Sequence, residues 1–364
     1  MTGLIGNTIP VTAVTWHPAV LSRRSGMTPL IDALGADAVF FEPSWDHLLK
    51  RSWSAGTWIR NASGQYYGST WNSLLPWIDE GRLSRSIPRS ARIVHFVWGE
   101  FCSPVNHRWF RRRGRRLVGT FHASAGKLPV VLKGSRAVKA YDHIVLMSET
   151  QRPFFRTVGY RDDQISVLLH GVDTGFFRPE ATPAPMMPGR PLRGLLVGKT
   201  ERDHGFMRRL VEALPADVLE MTVLTSKEQA SRNYQGMPHL RLPGHLDDEG
   251  LLAEYRRADL LIMPMNDCTA NNAVLEAMSC GTPVLTNRVG GIPEYVSARD
   301  NFVLEGKDVE AWSALIRALH KDPSPLLARR AAVRAWAERF DWRTIAGQYV
   351  DLYRSLLAEP EARP

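Results

Sequence analysis

Short apolar runs alternate with stretches of helical period along most of the 364 residues. In the first half the runs are VTAVTW (11–16), ADAVFFEP (36–43), RIVHFVWG (92–99), RRLVGTFH (115–122), DHIVLMS (142–148) and ISVLLHG (165–171). In the second half they are RGLLVG (193–198), LEMTVLT (219–225), PHLRLPG (238–244), ADLLIMPM (258–265) and TPVLTN (282–287). Most are continuously apolar rather than alternating, as strands are when both faces of a parallel sheet are covered. Helical patterns such as 205–214 and 248–257 separate them. Strand and helix in turn predict an α/β chain of two doubly wound, Rossmann-like domains.

RPEATPAPMMPGRPL (178–192) holds five prolines in fifteen residues, which neither a helix nor a central strand tolerates. The expected division is a first domain over 1–178, a semi-rigid linker over 179–192, and a second domain over 193–342. Two such domains face each other across a cleft, where the C-terminal ends of strands meet a ligand. Residues 47–90, rich in Trp, Ser and Gly, read as helix and loop.

The stretch TANNAVLEAMSCGTPV (269–284) poses the chemical question. A helix is expected to begin near 269–271, with Asn271 as a favoured cap and AVLEAM as a strong helix former. Gly281 closes it and Pro283 prevents its return. Its N-terminus follows a parallel strand and offers free N–H groups to an anion. Asn272 and Glu276 are four apart and share a face. An ionised carboxylate accepts hydrogen bonds from both hydroxyls of a vicinal diol. Phosphate at the helix tip and a diol one turn down describe a nucleotide's pyrophosphate and ribose; a solvated surface glutamate is the other reading, and both stand open. In LLVGKTERDHGF (195–206) a strand ends at Gly198, followed by Lys199, Arg202 and His204, a cationic loop suited to the same pyrophosphate or simply to solvent. GxGxxG, Walker A and Asp-x-Asp patterns are all missing, which removes the NAD fingerprint, the P-loop and the usual carboxylate clamp for a metal-bound nucleotide sugar.

Charge and cysteine usage narrow the classes. The net charge is +9, and residues 1–180 carry 23 Lys and Arg against 13 Asp and Glu, whereas 181–364 carry 23 against 24. The basic character therefore belongs to the first half and points to an anionic partner there. Cys102, Cys268 and Cys280 are far apart, which predicts a reducing compartment, no disulfide framework and no zinc site. His17 and Pro18 interrupt the apolar run near the N-terminus, and no run reaches 18 apolar residues, so a cytoplasmic protein is expected, placed if anywhere at the inner face of the membrane.

The span 258–296 resembles the signature region of glycosyltransferase family 4, retaining enzymes of GT-B fold that use nucleotide sugars. LLAEYRRADLLIMP (251–264) and EAMSCGTPVLTNRVGGIPEYV (276–296) carry the likeness. VLLHGVDTGFFRP (167–179) resembles the family's passage into its second domain. FDWRTIAGQYVDLYRSLL (340–357) resembles its C-terminal helices, which implies that a helix over 343–364 crosses back onto the first domain. The resemblance assigns Glu276, second of a Glu-x7-Glu pair, to the ribose hydroxyls. Cys268 stands where the family has the first glutamate, and Thr269, Ala270, Asn271 and Asn272 replace its small-residue segment. Lys199 falls at a cationic pyrophosphate position; register favours His204 as the second cation, and chemistry favours Arg202. VGTFHAS (118–124) places His122 where the family's histidine reaches the donor sugar, and Gly26 of RRSGMTPL (23–30) is what remains of its first glycine loop.

HFVWGEFCS (95–103) offers Trp98 and Glu100 either to an acceptor pocket or, more plainly, as a buried Trp with a surface Glu. RWFRRRGRR (108–116) holds six arginines in nine residues. It reads as a patch for a lipid surface or an anionic acceptor, with Trp109 and Phe110 dipping into the interface, or as a solvated helix face. Nucleic acid is not an expected partner, because no recognised module surrounds the patch. Together these features predict a metal-independent, retaining glycosyltransferase with no cofactor beyond its nucleotide diphosphate sugar and an acceptor that is anionic or lipid-linked. A nucleotide-sugar epimerase on the same scaffold and a non-catalytic GT-B partner protein are the alternatives.

Overall fold

The computed structural model describes residues 9–16, 24–41, 76–100, 104–133, 137–181, 189–237 and 240–358. Of the stretch expected as helix and loop, 47–75 lie outside the described residues, as do Cys102 and 182–188 of the proline-rich segment. The chain folds as two compact units, 1–170 with 342–364, and 171–341.

In the first unit the strands are β1 (Val11–Trp16), β2 (Asp37–Phe41), β3 (Ile93–Phe96), β4 (Arg116–Phe121), β5 (His143–Leu146) and β6 (Ile165–Val167). They form one parallel sheet in the order β2-β1-β3-β4-β5-β6. Helices α1 (Thr28–Leu34), α2 (Pro76–Ser86), α3 (His107–Phe110), α4 (Leu128–Val131) and α5 (Arg152–Val158) connect them. β3 and β5 are buried along their whole length, which is why their sequences, IVHF and HIVL, lack the polar alternation of a strand with one face in solvent. Gly26, in the left-handed region at φ 70°, turns the chain into α1 just ahead of Pro29.

In the second unit β7 (Leu192–Val197), β8 (Leu219–Leu224), β9 (Leu240–Arg241), β10 (Leu260–Met263), β11 (Val284–Asn287) and β12 (Phe302–Leu304) pair in parallel in the order β12-β11-β10-β7-β8-β9. β12 is the one strand of this sheet that the apolar pattern misses. Its helices are α6 (His204–Glu212), α7 (Lys227–Tyr234), α8 (Asp248–Arg257), α9 (Asn272–Ser279), α10 (Ile292–Tyr295), α11 (Val309–Lys321) and α12 (Ser324–Glu338). The strand order reverses between β7 and β10, so the loops that follow those two strands open into one crevice. This unit begins at Gly171, ahead of the proline-rich stretch, and Phe177 packs edge-on against Tyr255 within it.

The final helix, α13 (Trp342–Ala358), belongs to the first unit. Tyr353 and Thr120 flank the buried His95 ring at 2.7 Å from each nitrogen, and Tyr349 stacks on it. Burial, helped by the His122 charge, lowers the His95 pKa to about 3, so the ring is neutral.

Candidate functional site

The crevice between β7 and β10 is built from backbone geometry first. Gly198 ends β7 with φ 104°, and a Cβ there would lie 2.7 Å from the Arg202 guanidinium. Only glycine lets the chain turn and Arg202 fold back beneath it. Arg202 then donates from Nε to the Val197 carbonyl at 3.0 Å, from Nη1 to Thr200 at 2.6 Å, and from Nη2 to Asn271 Oδ1 at 3.0 Å. Asn271 caps α9, its side chain also accepting from Val274 N–H at 3.4 Å. Loops that are 69 residues apart in sequence are thereby joined at a helix tip. Burial lowers the Arg202 pKa, opposed by Cys268, Tyr255, Glu276 and Glu201, and the guanidinium stays charged.

α9 is buried from Ala273 through Ser279, a helix apolar on nearly every face. Gly281 terminates it at φ 73°, with Gly281 N–H on Met278 O and Thr282 N–H on Ala277 O, both at 2.9 Å. Glu276 sits inside it at 3% exposure, so the reading of a solvated glutamate fails. Its Oε2 accepts from the Tyr255 hydroxyl at 2.7 Å. Burial and the neighbouring Glu276 charge push the Tyr255 pKa well above 10, and the phenol remains a donor at any working pH. Sequence reasoning missed Tyr255; its place in EYRRAD, on the helix before β10, was the available signal.

Cys268 is buried, its thiol giving a long contact to the Thr269 carbonyl at 3.5 Å. Burial drives its pKa up to about 12, so it is a neutral thiol and no substitute for a carboxylate's charge. Gly290, at φ 51°, crosses so close that a Cβ would fall 2.2 Å from the Cys268 carbonyl oxygen. The Thr269 hydroxyl is buried with no hydrogen-bond partner among the described residues. Ala270 and Asn272 are half-buried at the same tip.

Lys199 and His204 part company. Lys199 is exposed and lines a cavity of about 640 Å³ beside the ends of β7 and β8, with Thr225, Ser226, Lys227 and His245. His204 points the other way: it is buried, 2.8 Å from the Tyr234 hydroxyl, and burial together with the nearby Arg202 charge lowers its pKa. Its register gave it a cationic role; as the first residue of α6 it faces the core instead. Arg202 is the residue the fold places against the helix tip.

In the first unit, a second cluster follows β4. The His122 ring stacks on Trp98 at 4.0 Å between centroids, and its Nε2 is buried without a partner among the described residues. Glu100 is 1% exposed. Its carboxylate accepts the backbone N–H of His122 and, at 2.6 Å, that of Ala123, with Oε2 at 3.4 Å from His122 Nδ1. The surface-Glu reading is therefore wrong, and Glu100 has its acceptors committed to the loop that presents His122. Gly99 permits this, since a Cβ there would lie 2.7 Å from the Phe121 ring.

The arginine run divides. Phe110 is fully buried against Phe96, so it cannot dip into an interface. Arg111 pairs with Asp142 at 2.6 Å, and the buried Arg115 holds the carbonyls of Ile87, Pro88 and Ala91. Arg108, Arg112 and Arg113 remain exposed. Among the described residues no helix is long and apolar enough to cross a membrane.

Residues 195–322 match the family model described as glycosyl transferases group 1. A D-inositol 3-phosphate glycosyltransferase of Corynebacterium urealyticum is 33% identical over 117 residues, 32% of this chain and 28% of that protein. D-inositol 3-phosphate glycosyltransferase 1 of Catenulispora acidiphila is 25% identical over 334 residues, 79% of this chain and 80% of its own length. The matched lengths thus run from about a quarter to four fifths of these relatives. Among solved structures, Anabaena HepE in complex with UDP and glucose superposes with a TM-score of 0.68 at 15% identity, covering 95% of this chain and 99% of that one. The group 1 match thus runs from β7 to the end of α11, across the β7–β10 crevice, and the two parallel six-stranded sheets share the GT-B fold of solved glycosyltransferase structures.

Proposed function

We propose that the chain moves a sugar from a nucleotide diphosphate sugar to an acceptor hydroxyl with retention of anomeric configuration. The observation that carries this is the contact of Arg202 with Asn271, which fixes a half-buried cation at the N-terminal tip of α9 one turn above the buried Glu276. A helix tip and a guanidinium suit a pyrophosphate, and a buried carboxylate suits a ribose diol. Lys199 adds a second, exposed cation from the cavity side. HepE, which shares the fold, was solved with UDP and glucose, and this supports the same ligand class.

As the glycosidic bond to the diphosphate breaks, charge gathers on the leaving oxygens. Arg202, Lys199 and the α9 amides are preorganised to stabilise it, so the step calls on no metal. The departing phosphate accepts the acceptor's proton on the face it leaves, which gives retention without a protein carboxylate as nucleophile. His122, held by Glu100 and Trp98, positions the sugar. Gly26 belongs to the loop ahead of α1 on the same unit as His122. The exposed Arg108, Arg112 and Arg113 offer an anionic or lipid-linked acceptor a place on the first unit.

Calorimetric titration with UDP, GDP, dTDP and ADP tests this reading, with Glu276→Ala and Lys199→Ala alongside. One diphosphate should bind, both variants should weaken it, and turnover with its sugar should survive EDTA. Binding of none of the four sinks the proposal.

A further inference from the structure

At the end of α9 away from Asn271, the second unit holds another cavity, of about 240 Å³, lined by Arg256, Arg330 and Arg334 with Cys280, Gly281 and Glu180. Arg334 is spent on structure. It donates to the carbonyls of Thr174, Phe177 and Ser279 and pairs with Glu338 at 2.9 Å. The other two are not. Among the described residues, Arg256 gives only Nε, to the Arg178 carbonyl at 2.9 Å, and Arg330 gives only Nη2, to the Ala258 carbonyl at 3.1 Å.

Neither Arg256 nor Arg330 has a carboxylate partner among the described residues, and the exposed Glu180 pairs with neither. Asp259, the carboxylate that acts on Arg330 from a distance, is already held by both Nη atoms of Arg190 at 2.6 and 2.8 Å. The segment ATPAPMMPG (181–189) that follows Glu180 contains no acidic residue. Cys280 supplies no anion either: burial lifts its thiol to about 12 despite the opposing pull of Arg256 and Arg334.

A guanidinium cannot shed its proton, so one that is half-buried with spare donors carries a desolvation penalty until an anion completes it. Burial is indeed the main influence on Arg330, lowering its pKa. At roughly 30 Å³ per water, the cavity has room for about eight waters. That is enough for a phosphate, a pyrophosphate or a compact acid, and too little for a nucleotide sugar.

We propose that this cavity binds a small oxyanion, a phosphate or a compact phosphorylated or carboxylated metabolite, through the free guanidinium faces of Arg256 and Arg330. The site lies at the opposite end of α9 from the nucleotide residues and does not depend on them.

The test uses the full chain in chloride buffer at constant ionic strength, titrated with inorganic phosphate, pyrophosphate and citrate and followed by calorimetry and thermal melting. Arg256→Gln, Arg330→Gln and Lys199→Ala are compared with the parent chain. At least one anion should bind, with the dissociation constant raised tenfold or more in each arginine variant and unchanged in Lys199→Ala. Which of the three binds tells phosphate chemistry from carboxylate chemistry. Without any anion, Arg330→Gln should melt no lower than the parent, because the half-buried charge it removes has no carboxylate partner among the described residues, which offsets the one lost bond to the Ala258 carbonyl. Should Arg330→Gln fail to fold, Arg256→Gln decides alone. Anion binding that vanishes in Lys199→Ala but persists in both arginine variants belongs to the nucleotide site and overturns the proposal. Binding of none of the three anions overturns it equally and leaves the nucleotide reading untouched.

Discussion

Replacing Tyr255 by Phe removes one oxygen and almost nothing else. The ring keeps its edge contact with Phe177, 5.9 Å between centroids, while Glu276 Oε2 loses its 2.7 Å donor. A hydrogen bond to a charged acceptor contributes about 1.5–3 kcal/mol. Part of that loss is expressed as stability, since a buried carboxylate is left with fewer partners, and part as misplacement of the acceptor that the ribose needs. Assigning about 1–2 kcal/mol to binding predicts a nucleoside diphosphate affinity lowered roughly fivefold to thirtyfold. The decisive assay is calorimetry with the preferred ribonucleoside diphosphate and its 2′,3′-dideoxy analogue on both proteins. The parent should prefer the ribose form strongly, and Tyr255→Phe should erode that preference while leaving the dideoxy affinity nearly unchanged. If both ligands weaken by the same factor, Tyr255 acts through general stability and the ribose assignment of Glu276 is wrong.

Further predictions follow from the same geometry. Cys268→Glu places a second carboxylate in a space where the Gly290 backbone already presses on residue 268; nucleotide-sugar turnover should fall or the donor preference change, and an indifferent variant would mark the site as a relic. Glu100→Gln can keep both backbone N–H bonds, which share Oε1, but it removes the charge and puts an amide NH2 in place of the oxygen that faces His122 Nδ1, so sugar transfer should slow with nucleoside diphosphate affinity unchanged; a parallel loss of both would refute a role confined to the first unit. Gly198→Ala should displace Arg202 and cost at least tenfold in diphosphate affinity, read by the same titration. His95 is neutral in the fold, with a pKa lowered to about 3 from 6.5, so the unfolded chain binds the extra proton and stability falls as pH drops from 6.5 towards 3. Denaturant melts across that window should show a loss of up to about 1.4 kcal/mol per pH unit from this residue, flattened by His95→Gln.

The run of apolar positions determined the two-sheet architecture by itself, because a strand covered on both faces has no polar face to alternate with. VTAVTW and the helix at 248–257 occupy the residues that the pattern marks. β12 escaped because its three half-buried residues on a sheet edge carry no such run. Asn271 as a cap and Gly281 as a stop were equally legible, since both act within a few residues of chain. Tertiary structure alone decided where the charged side chains point. Nothing local distinguishes Arg202 from His204, two residues apart; the β7–β10 crevice turned one to Asn271 and the other to Tyr234. Whether Glu276 meets solvent depends on a tyrosine 21 positions away. The arginines at 108–116 look alike in sequence, yet Asp142 and three distant carbonyls absorb two of them. Local pattern sets which backbone forms, because hydrogen-bonding period is a short-range property. The partners of a charge come from wherever the folded chain brings them, and that information is not local.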